Sequence, residues 1–499
     1  MSLAAMVVAD RSARLVRFYD RWIEVVTLGR AARLRDAVLA VVEPGERLLD
    51  MGCGTGSLAV AAARSGVEVV AIDRSASMLA VARDKAAAAG VSVDFREGDV
   101  AFPPLGDERF DVATATFVLG ELSPDLAALA VRRMAEALRP GGRIVLADEV
   151  PPASLVPRVL VAIARAVQWV VSFAALQEAA PSRRHAWSEL LAGAGLELLP
   201  DSSRRLGGLV VLAARRPEVL PQATPAVAQL DEALPAGAMR AVLRAAAWID
   251  LPIAVRPGVY RVGKPGPGGP VLLTGNFLAS VEAVRSALAG LDAYLVVEDT
   301  DGWNVWCAGD AGLFNGEKAA ALIERYALEA LVDRPQIIVP RLGGRVRRGL
   351  AALTGWEVVV GPIEARDLPA FLEGGMSPSM TSLARLFRLR ERVRVAVLTV
   401  VQLPLFLLLP LRLAAPRVRR PAWRFAIVAA WLLPVGHDVL PGRTGVVKGT
   451  VLGVLAAAAG TVSGRIRPGG ALAILASAPL VGWIYQSSSP VVFWKRLWR

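Results

Sequence analysis

At about 150 residues per domain, the 499 residues are enough for about three units. The 57 basic and 45 acidic residues leave +12, but the stretch from Thr381 to Arg499 holds 17 basic against two acidic residues (Glu391 and Asp438), net +15, so the first 380 residues carry −3; this excludes a nucleic-acid reading surface and describes a near-neutral part joined to a basic tail. A hydrophobic content of 54% and a mean hydropathy of +0.46 are too apolar for an ordinary soluble chain, and two cysteines and two histidines exclude a disulfide framework, an iron–sulfur cluster ligated by this chain alone and a His-rich metal site.

The opening MSLAAMVVADRSARLVRFYDRW has no basic region followed by an apolar core, so no signal peptide is expected and the soluble part is expected in the cytoplasm. Residues 1–216 alternate short apolar strands with helical stretches, which predicts an α/β domain. The strand ERLLD runs into Asp50-x-Gly52-x-Gly54-x-Gly56 and an Ala-rich helix. Glycines at this spacing permit tight turns and close approach of a ligand, beside the positive end of the helix. About 20 residues on, the strand VEVVAID ends in Asp73, where a carboxylate can accept both hydroxyls of a ribose. A nicotinamide-binding fold uses a related loop, so the loop alone does not choose the ligand. Cys53 reads either as a nucleophile or as a small residue packed under the loop, and Tyr19 either as a lid or as packing. His185 reads as a base or as a helix-end residue. Leu155–Leu176, with Arg158, Arg165 and Gln168 on one face, reads as a helix lying on a bilayer or over an apolar substrate, or as a buried cap helix.

Residues 217–249 open on a Pro- and Ala-rich run and are expected to be a linker. Residues 250–385 alternate again (VLLTG, ASVEAVRSALAGL, AYLVVED, QIIVP, WEVVVGP), predicting a second α/β domain. Its segment DTDGWNVWCAGDAGLF holds Trp303, Trp306 and Cys307; a lone cysteine is ordinarily a small buried hydrophobe. Residues 386–499 contain four apolar runs, Val395–Leu411, Phe425–Gly436, Gly449–Gly464 and Gly469–Tyr485, which predict a helical membrane domain, since a span needs about 20 apolar residues. Arginines flank the first run on both sides, so it either crosses against the positive-inside tendency or re-enters at Pro404 and Pro410.

Four ordered motifs, the Asp50–Gly56 loop, EGDVAFPPL, FDVATATFVLGEL and LRPGGRIVLADE, make the first domain resemble the class I, type 11 methyltransferases. That resemblance implies a Rossmann-like fold and S-adenosylmethionine as methyl donor. Asp50, Gly52, Gly54, Gly56 and Asp73 would hold it, with Asp99 near the adenine and Asp111 opening the fourth strand. Transfer from a sulfonium needs little beyond alignment.

Residues from about 245 to 490 resemble the corrinoid protein of microbial mercury methylation, a relative of the corrinoid subunit of CO dehydrogenase/acetyl-CoA synthase. The likeness rests on Asn304-Val305-Trp306-Cys307-Ala308-Gly309, on Pro257–Phe277, on PQIIVPRLGG and on GPIEARDLPAFLEGGM; the chain departs from the cap motif at Asp310. It implies a cobalamin-type corrinoid whose cobalt takes Cys307 as lower axial ligand. Thr274, Asn276, Asn304 and Trp306 are candidate corrinoid contacts, and Trp303 and Trp306 would shield its face. The alternative for Thr274 and Asn276 is a turn. A separate ferredoxin-like iron–sulfur partner would supply low-potential electrons. The function this implies is a multi-pass methyltransferase of the cytoplasmic membrane, with soluble domains in the cytoplasm, passing methyl through cobalt, mercury(II) being one acceptor. The alternative is methylation of a quinone- or lipid-like acceptor, the corrinoid domain having a separate or lost role.

Overall fold

A computed structural model describes residues 16, 18–27, 29–149, 187–200, 203–206, 209–221, 224–248, 252–310, 312–343, 346–376, 389–412, 416–442 and 444–487. Contacts divide the chain into two units, Met1–Pro225 and Ala226–Arg499.

In the first unit the strands are β1 (Arg47–Met51), β2 (Glu68–Asp73), β3 (Asp94–Glu97), β4 (Phe110–Thr116), β5 (Leu138–Glu149), β6 (Glu197–Leu198), β7 (Arg204–Leu206) and β8 (Leu209–Arg215). They form one sheet in the order β3-β2-β1-β4-β5-β8-β6, with β7 on β8. β1 to β5 pair in parallel and β8 runs antiparallel to β5. Both faces are covered, as a parallel sheet requires. Leu48 packs with Leu34, Val38 and Leu58 on one side, while its neighbour Leu49 packs with Met134 and Leu191 on the other. The helices are α1 (Tyr19–Val26), α2 (Arg30–Leu39), α3 (Ser57–Arg64), α4 (Ala76–Ala89), α5 (Pro124–Ala137) and α6 (Trp187–Gly193). Local chemistry sets their ends. Ser75 and Ser123 accept the Met78 and Leu126 amides as N-caps, Pro124 occupies the first turn of α5, and Gly90 ends α4 in the left-handed region. This is the Rossmann-like α/β fold that the motif order predicts.

The second unit has a six-stranded sheet, ordered β14-β13-β11-β12-β10-β9: β9 (Ala228–Gln229), β10 (Gly258–Val262), β11 (Val271–Gly275), β12 (Ala293–Glu298), β13 (Gln336–Val339) and β14 (Glu357–Val360). β12, β11, β13 and β14 are parallel neighbours, and β10 is antiparallel to β12. Helices α7 (Gly237–Trp248), α8 (Leu278–Ala287), α9 (Val305–Asp310), α10 (Gly316–Arg325), α11 (Val346–Thr354) and α12 (Leu368–Glu373) belong to it. Part of the expected linker belongs here too. Ala228 pairs with Tyr260, and Leu230 and Leu234 are buried in the second core. Composition masked this, because two leucines in a Pro-rich run carry no periodic signal.

Four helices follow: α13 (Leu389–Arg412), α14 (Pro416–Val435), α15 (Gly445–Val462) and α16 (Pro468–Ser487). The first is one unbroken helix through Pro404 and Pro410 rather than a chain that turns back there. Two stretches, Gly445–Val462 and Pro468–Tyr485, are long and apolar enough to cross a bilayer. α15 and α16 touch through small residues: a Cβ on Gly449 would stand 2.5 Å from the Ala478 carbonyl oxygen and 2.6 Å from Gly482 Cα. Gly445, Gly449, Gly453 and Ala457 recur every fourth residue on one face, the small-residue stripe by which apolar helices approach without a hydrophobic driving force. The stretch Leu155–Leu176 and His185 lie outside the described residues.

Candidate methyl-donor site and cap-helix site

In the first unit the site lies at the carboxyl ends of the parallel strands, where β1 hands over to α3. Gly52, Gly54 and Gly56 have φ of 75°, 54° and 72°. A Cβ on Gly52 would fall 2.5 Å from Val118 Cγ2, and one on Gly56 2.7 Å from Ala82 Cβ. The loop is therefore glycine for both conformation and space. Gly52 and Cys53 donate their amides to the Ile72 carbonyl, and the Gly54 amide donates to Asp73 Oδ2 at 2.8 Å. Asp73 Oδ1 accepts the Ser75 amide at 2.9 Å.

Asp50 is buried at 2% exposure. Its Oδ1 accepts from Thr114 Oγ1 at 2.9 Å, while Oδ2 has no hydrogen-bond partner among the described residues. Burial pushes the carboxyl up to about 7, with Asp73 adding and Thr114 opposing. A buried acceptor without a donor at the mouth of a Gly-rich loop fits a cationic methyl donor such as S-adenosylmethionine. Burial raises the Cys53 thiol, so it remains a thiol, partly buried against the core. Asp99 accepts the Ala101 amide at 2.8 Å and shapes the turn after β3. Asp111 accepts the Arg47 amide and Arg139 at the opposite, amino-terminal end of β4, and so ties strands together away from the site.

The motifs did not point to the acidic and hydroxyl groups around this loop. Asp20 accepts from Thr55 at 2.6 Å and from Ser57 at 3.2 Å, and pairs with Lys85, which also donates to Ser57 at 2.9 Å. Helix α1 is thereby anchored to the Gly loop, with Tyr19 one residue before the anchor. Burial first, then Glu121, Asp73 and Asp20, hold the Tyr19 phenol well above its ordinary range. After β4, Asp148 Oδ2 accepts the Gly120 amide at 3.0 Å and sets the short turn Leu119–Glu121.

In the second unit a loop after β12 leads into α9, the helix of Cys307. Asn276, just past β11, organises it. Its Oδ1 accepts from the Thr300 amide (2.9 Å), the Thr300 hydroxyl (2.9 Å) and the Gly302 amide (3.0 Å), and its Nδ2 donates to Asp299 Oδ1 (3.0 Å). The Asp301 amide also reaches Asp299, and the Trp303 and Thr300 backbones close the turn. Asn304 is buried at the start of α9, its carbonyl accepting the Ala308 amide. Thr274 is buried at the end of β11, beside Val297. The side chains of Trp306, Cys307 and Asp310 lie outside the described set. The Trp303 ring meets Trp483 of α16 edge-on, centroids 6.3 Å apart.

Glu298, the last residue of β12, is fully buried. Oε1 accepts the Asn315 amide at 2.7 Å and Oε2 has no partner among the described residues. Burial lifts its carboxyl to about 8, against the pull of Lys318. Lys318 is itself buried and donates to the Asp299 and Leu313 carbonyls. No group of three or more His, Cys, Asp or Glu residues able to hold a metal is found among the described residues.

Residues 48–142 match the family described as a methyltransferase domain, and residues 229–372 match the CO dehydrogenase/acetyl-CoA synthase delta subunit. The chain joins a methyltransferase domain to a domain of the CO dehydrogenase/acetyl-CoA synthase corrinoid-subunit type. Over 130 residues it is 34% identical to the corrinoid/iron-sulfur protein large subunit of Moorella thermoacetica, covering 26% of this chain and 29% of that protein. Over 141 residues it is 36% identical to the demethylmenaquinone methyltransferase of Beutenbergia cavernae, covering 28% of this chain and 56% of that protein. It thus spans less than two thirds of either relative. A structure of a putative methyltransferase from Bacillus halodurans aligns with 37% of this chain and 99% of its own length, at 21% identity and a TM-score of 0.30.

The methyltransferase domain is of the S-adenosylmethionine-dependent kind, and its Asp50, Gly52, Gly54, Gly56 and Asp73 meet at one loop. In the corrinoid-subunit domain, Asn276 bonds to the loop that leads into α9, Asn304 is buried at the start of α9 and Thr274 is buried at the end of β11. Bonds from Asn276, Asp299 and Thr300 order the loop that leads into that helix.

Proposed function

We propose that this chain is a membrane-anchored methyltransferase that takes methyl from S-adenosylmethionine in its first domain and holds a corrinoid in its second, with Cys307 as lower ligand of the cobalt. The observation behind the second assignment is the Asn276-ordered loop, which sets the Cys307 helix at the carboxyl ends of β11 and β12. Thr274, Asn304 and Trp306 would line the corrinoid, with Asn276 supporting the loop. When bound, such a corrinoid supplies a thiolate-ligated methyl carrier, and mercury(II) is the terminal acceptor this reading names. With two cysteines in the whole chain, low-potential electrons come from a separate ferredoxin-like iron–sulfur partner. Helices α13 to α16 anchor the chain in the cytoplasmic membrane with both soluble domains on the cytoplasmic side; the small-residue seam of α15 and α16 and the basic residues around them support this. Full-length protein in detergent, incubated with hydroxocobalamin, is expected to take it up with the visible spectrum of a thiolate-ligated cobalt, and C307S to lose that spectrum. Uptake with an unchanged spectrum in C307S refutes the ligand assignment.

A second reading has the first domain methylate a quinol- or lipid-like acceptor independently of the corrinoid. The likeness to a demethylmenaquinone methyltransferase over 141 residues favours it. Supplying methyl-labelled S-adenosylmethionine separates the two: label recovered in extracted lipid supports the second reading, and label retained with the corrinoid supports the first.

A further inference from the structure

We propose that Glu121 is the proton acceptor of the methyltransferase domain, and that the molecule methylated there is a protic nucleophile, a phenol, a hydroquinone or the activated C–H of its ring. This deepens the second reading above and rests on S-adenosylmethionine binding to the first domain. A low-valent cobalt centre has no proton to lose, so a base at this position serves an acceptor of different chemistry.

The turn Leu119–Glu121 follows β4 at the same sheet edge as Asp50 and Asp73. Asp148, near the end of β5, accepts the Gly120 amide, and a Cβ on Gly120 would stand 3.0 Å from Asp148 Oδ1. The turn is thus held against β5 and its last residue is presented at a set place. Glu121 acts on the Tyr19 phenol together with Asp73 and Asp20.

The acids at this edge differ in what they already do. Asp73 holds the Gly54 and Ser75 amides, Asp148 holds the Gly120 amide, and Asp20 holds Thr55, Ser57 and Lys85. Asp50 is enclosed, and its unpartnered Oδ2 marks the edge as built for a bound donor. Glu121 is only partly buried, and among the described residues no hydrogen bond engages its carboxylate. Among the described residues it is the one of these acids that is both partly exposed and without a hydrogen bond on its carboxylate. Burial lifts it to about 7, with the amino-terminal charge of the chain and Arg74 opposing and Asp148 and Asp73 adding, so it is poised to take a proton near neutral pH. The Tyr19 phenol, held well above its ordinary range, stays neutral.

In the step, the sulfonium S–CH3 bond breaks with its electron pair going to sulfur, and a pair on the acceptor forms the new bond to carbon. The acceptor's O–H or C–H proton goes to the Glu121 carboxylate and from there to water. The products are a neutral thioether, the methylated acceptor and one proton, with no oxidant or reductant consumed.

The test uses full-length protein in detergent, tritiated-methyl S-adenosylmethionine and 1,4-naphthoquinol as the probe acceptor. Wild-type transfer is expected to rise with pH and level off above about 7. E121Q is expected to be slower by about 100-fold or more and flat across that range, with S-adenosylmethionine affinity by calorimetry within about twofold of wild type and partial recovery in E121D. Retained transfer in E121Q, an unchanged pH profile, or no transfer to the naphthoquinol by a wild type that binds S-adenosylmethionine overturns the assignment. Absence of S-adenosylmethionine binding in both proteins overturns instead the reading on which it rests.

Discussion

Replacing Asn276 by alanine isolates what holds the Cys307 helix. The side chain meets two backbone amides in a fully enclosed loop, those of Thr300 and Gly302, at 2.9 and 3.0 Å. The Thr300 hydroxyl keeps the Trp303 carbonyl as a partner, and Asp299 keeps the Asp301 amide. The loss therefore falls on the two amides, each a buried donor left without an acceptor. At about 1–3 kcal/mol per stranded donor, the loop is destabilised by about 4 kcal/mol. Since 1.36 kcal/mol is a factor of ten, protection of these amides against hydrogen exchange should fall by roughly a thousandfold. Exchange read by fragmentation mass spectrometry on full-length protein measures it, and hydroxocobalamin uptake should weaken in parallel. N276D keeps an accepting oxygen but sets a second carboxylate where Nδ2 stood 3.0 Å from Asp299 Oδ1, so its protection at Thr300 and Gly302 should recover as pH falls and one of the two carboxyls takes a proton. Protection in N276A within about threefold of wild type would refute the reasoning.

G56A should lower S-adenosylmethionine affinity at least about tenfold by calorimetry: an L-residue at φ of 72° costs about 1–2 kcal/mol, and its Cβ would stand 2.7 Å from Ala82 Cβ. Glu298 makes stability pH-dependent. Its folded value, near 8, lies above an unfolded value near 4.3, so stability is greatest below the lower value and falls as pH rises toward the upper. The slope is at most about 1.4 kcal/mol per pH unit; melting curves at pH 6 and 8 should show a loss in wild type and a flatter response in E298Q. W483A removes the edge-on partner of Trp303, a contact worth about 0.5–1.5 kcal/mol. Hydroxocobalamin binding should weaken by about three- to tenfold with the helical circular-dichroism signal unchanged.

Features carried by near neighbours in the chain were legible from sequence. The Asp50–Gly56 loop, the strand ending in Asp73, and the strands VLLTG, AYLVVED, QIIVP and WEVVVGP all lie where their residues place them. The Rossmann-like domain follows from that alternation. Less legible were contacts joining distant segments. Asp20 and Lys85 are 65 residues apart and Gly120 and Asp148 are 28 apart, and neither pair has a spacing that a helix or strand would impose. Asn276 read as a ligand contact or a turn residue, whereas its side chain is engaged in ordering the loop 24 to 26 residues away. The Pro-rich run around Leu230 read as linker because its two buried leucines show no period.

The amino-acid order by itself determined that a glycine loop would follow a buried strand and meet a carboxylate at the end of the next, because φ preference, strand alternation and helix capping act within a few residues. Folding in three dimensions decided which acids would be saturated and which left open. Glu121 and Glu298 are ordinary glutamates in one dimension. Burial in the folded chain raised both, Glu298 with only the Asn315 amide on its carboxylate and Glu121 with no hydrogen bond on its own among the described residues.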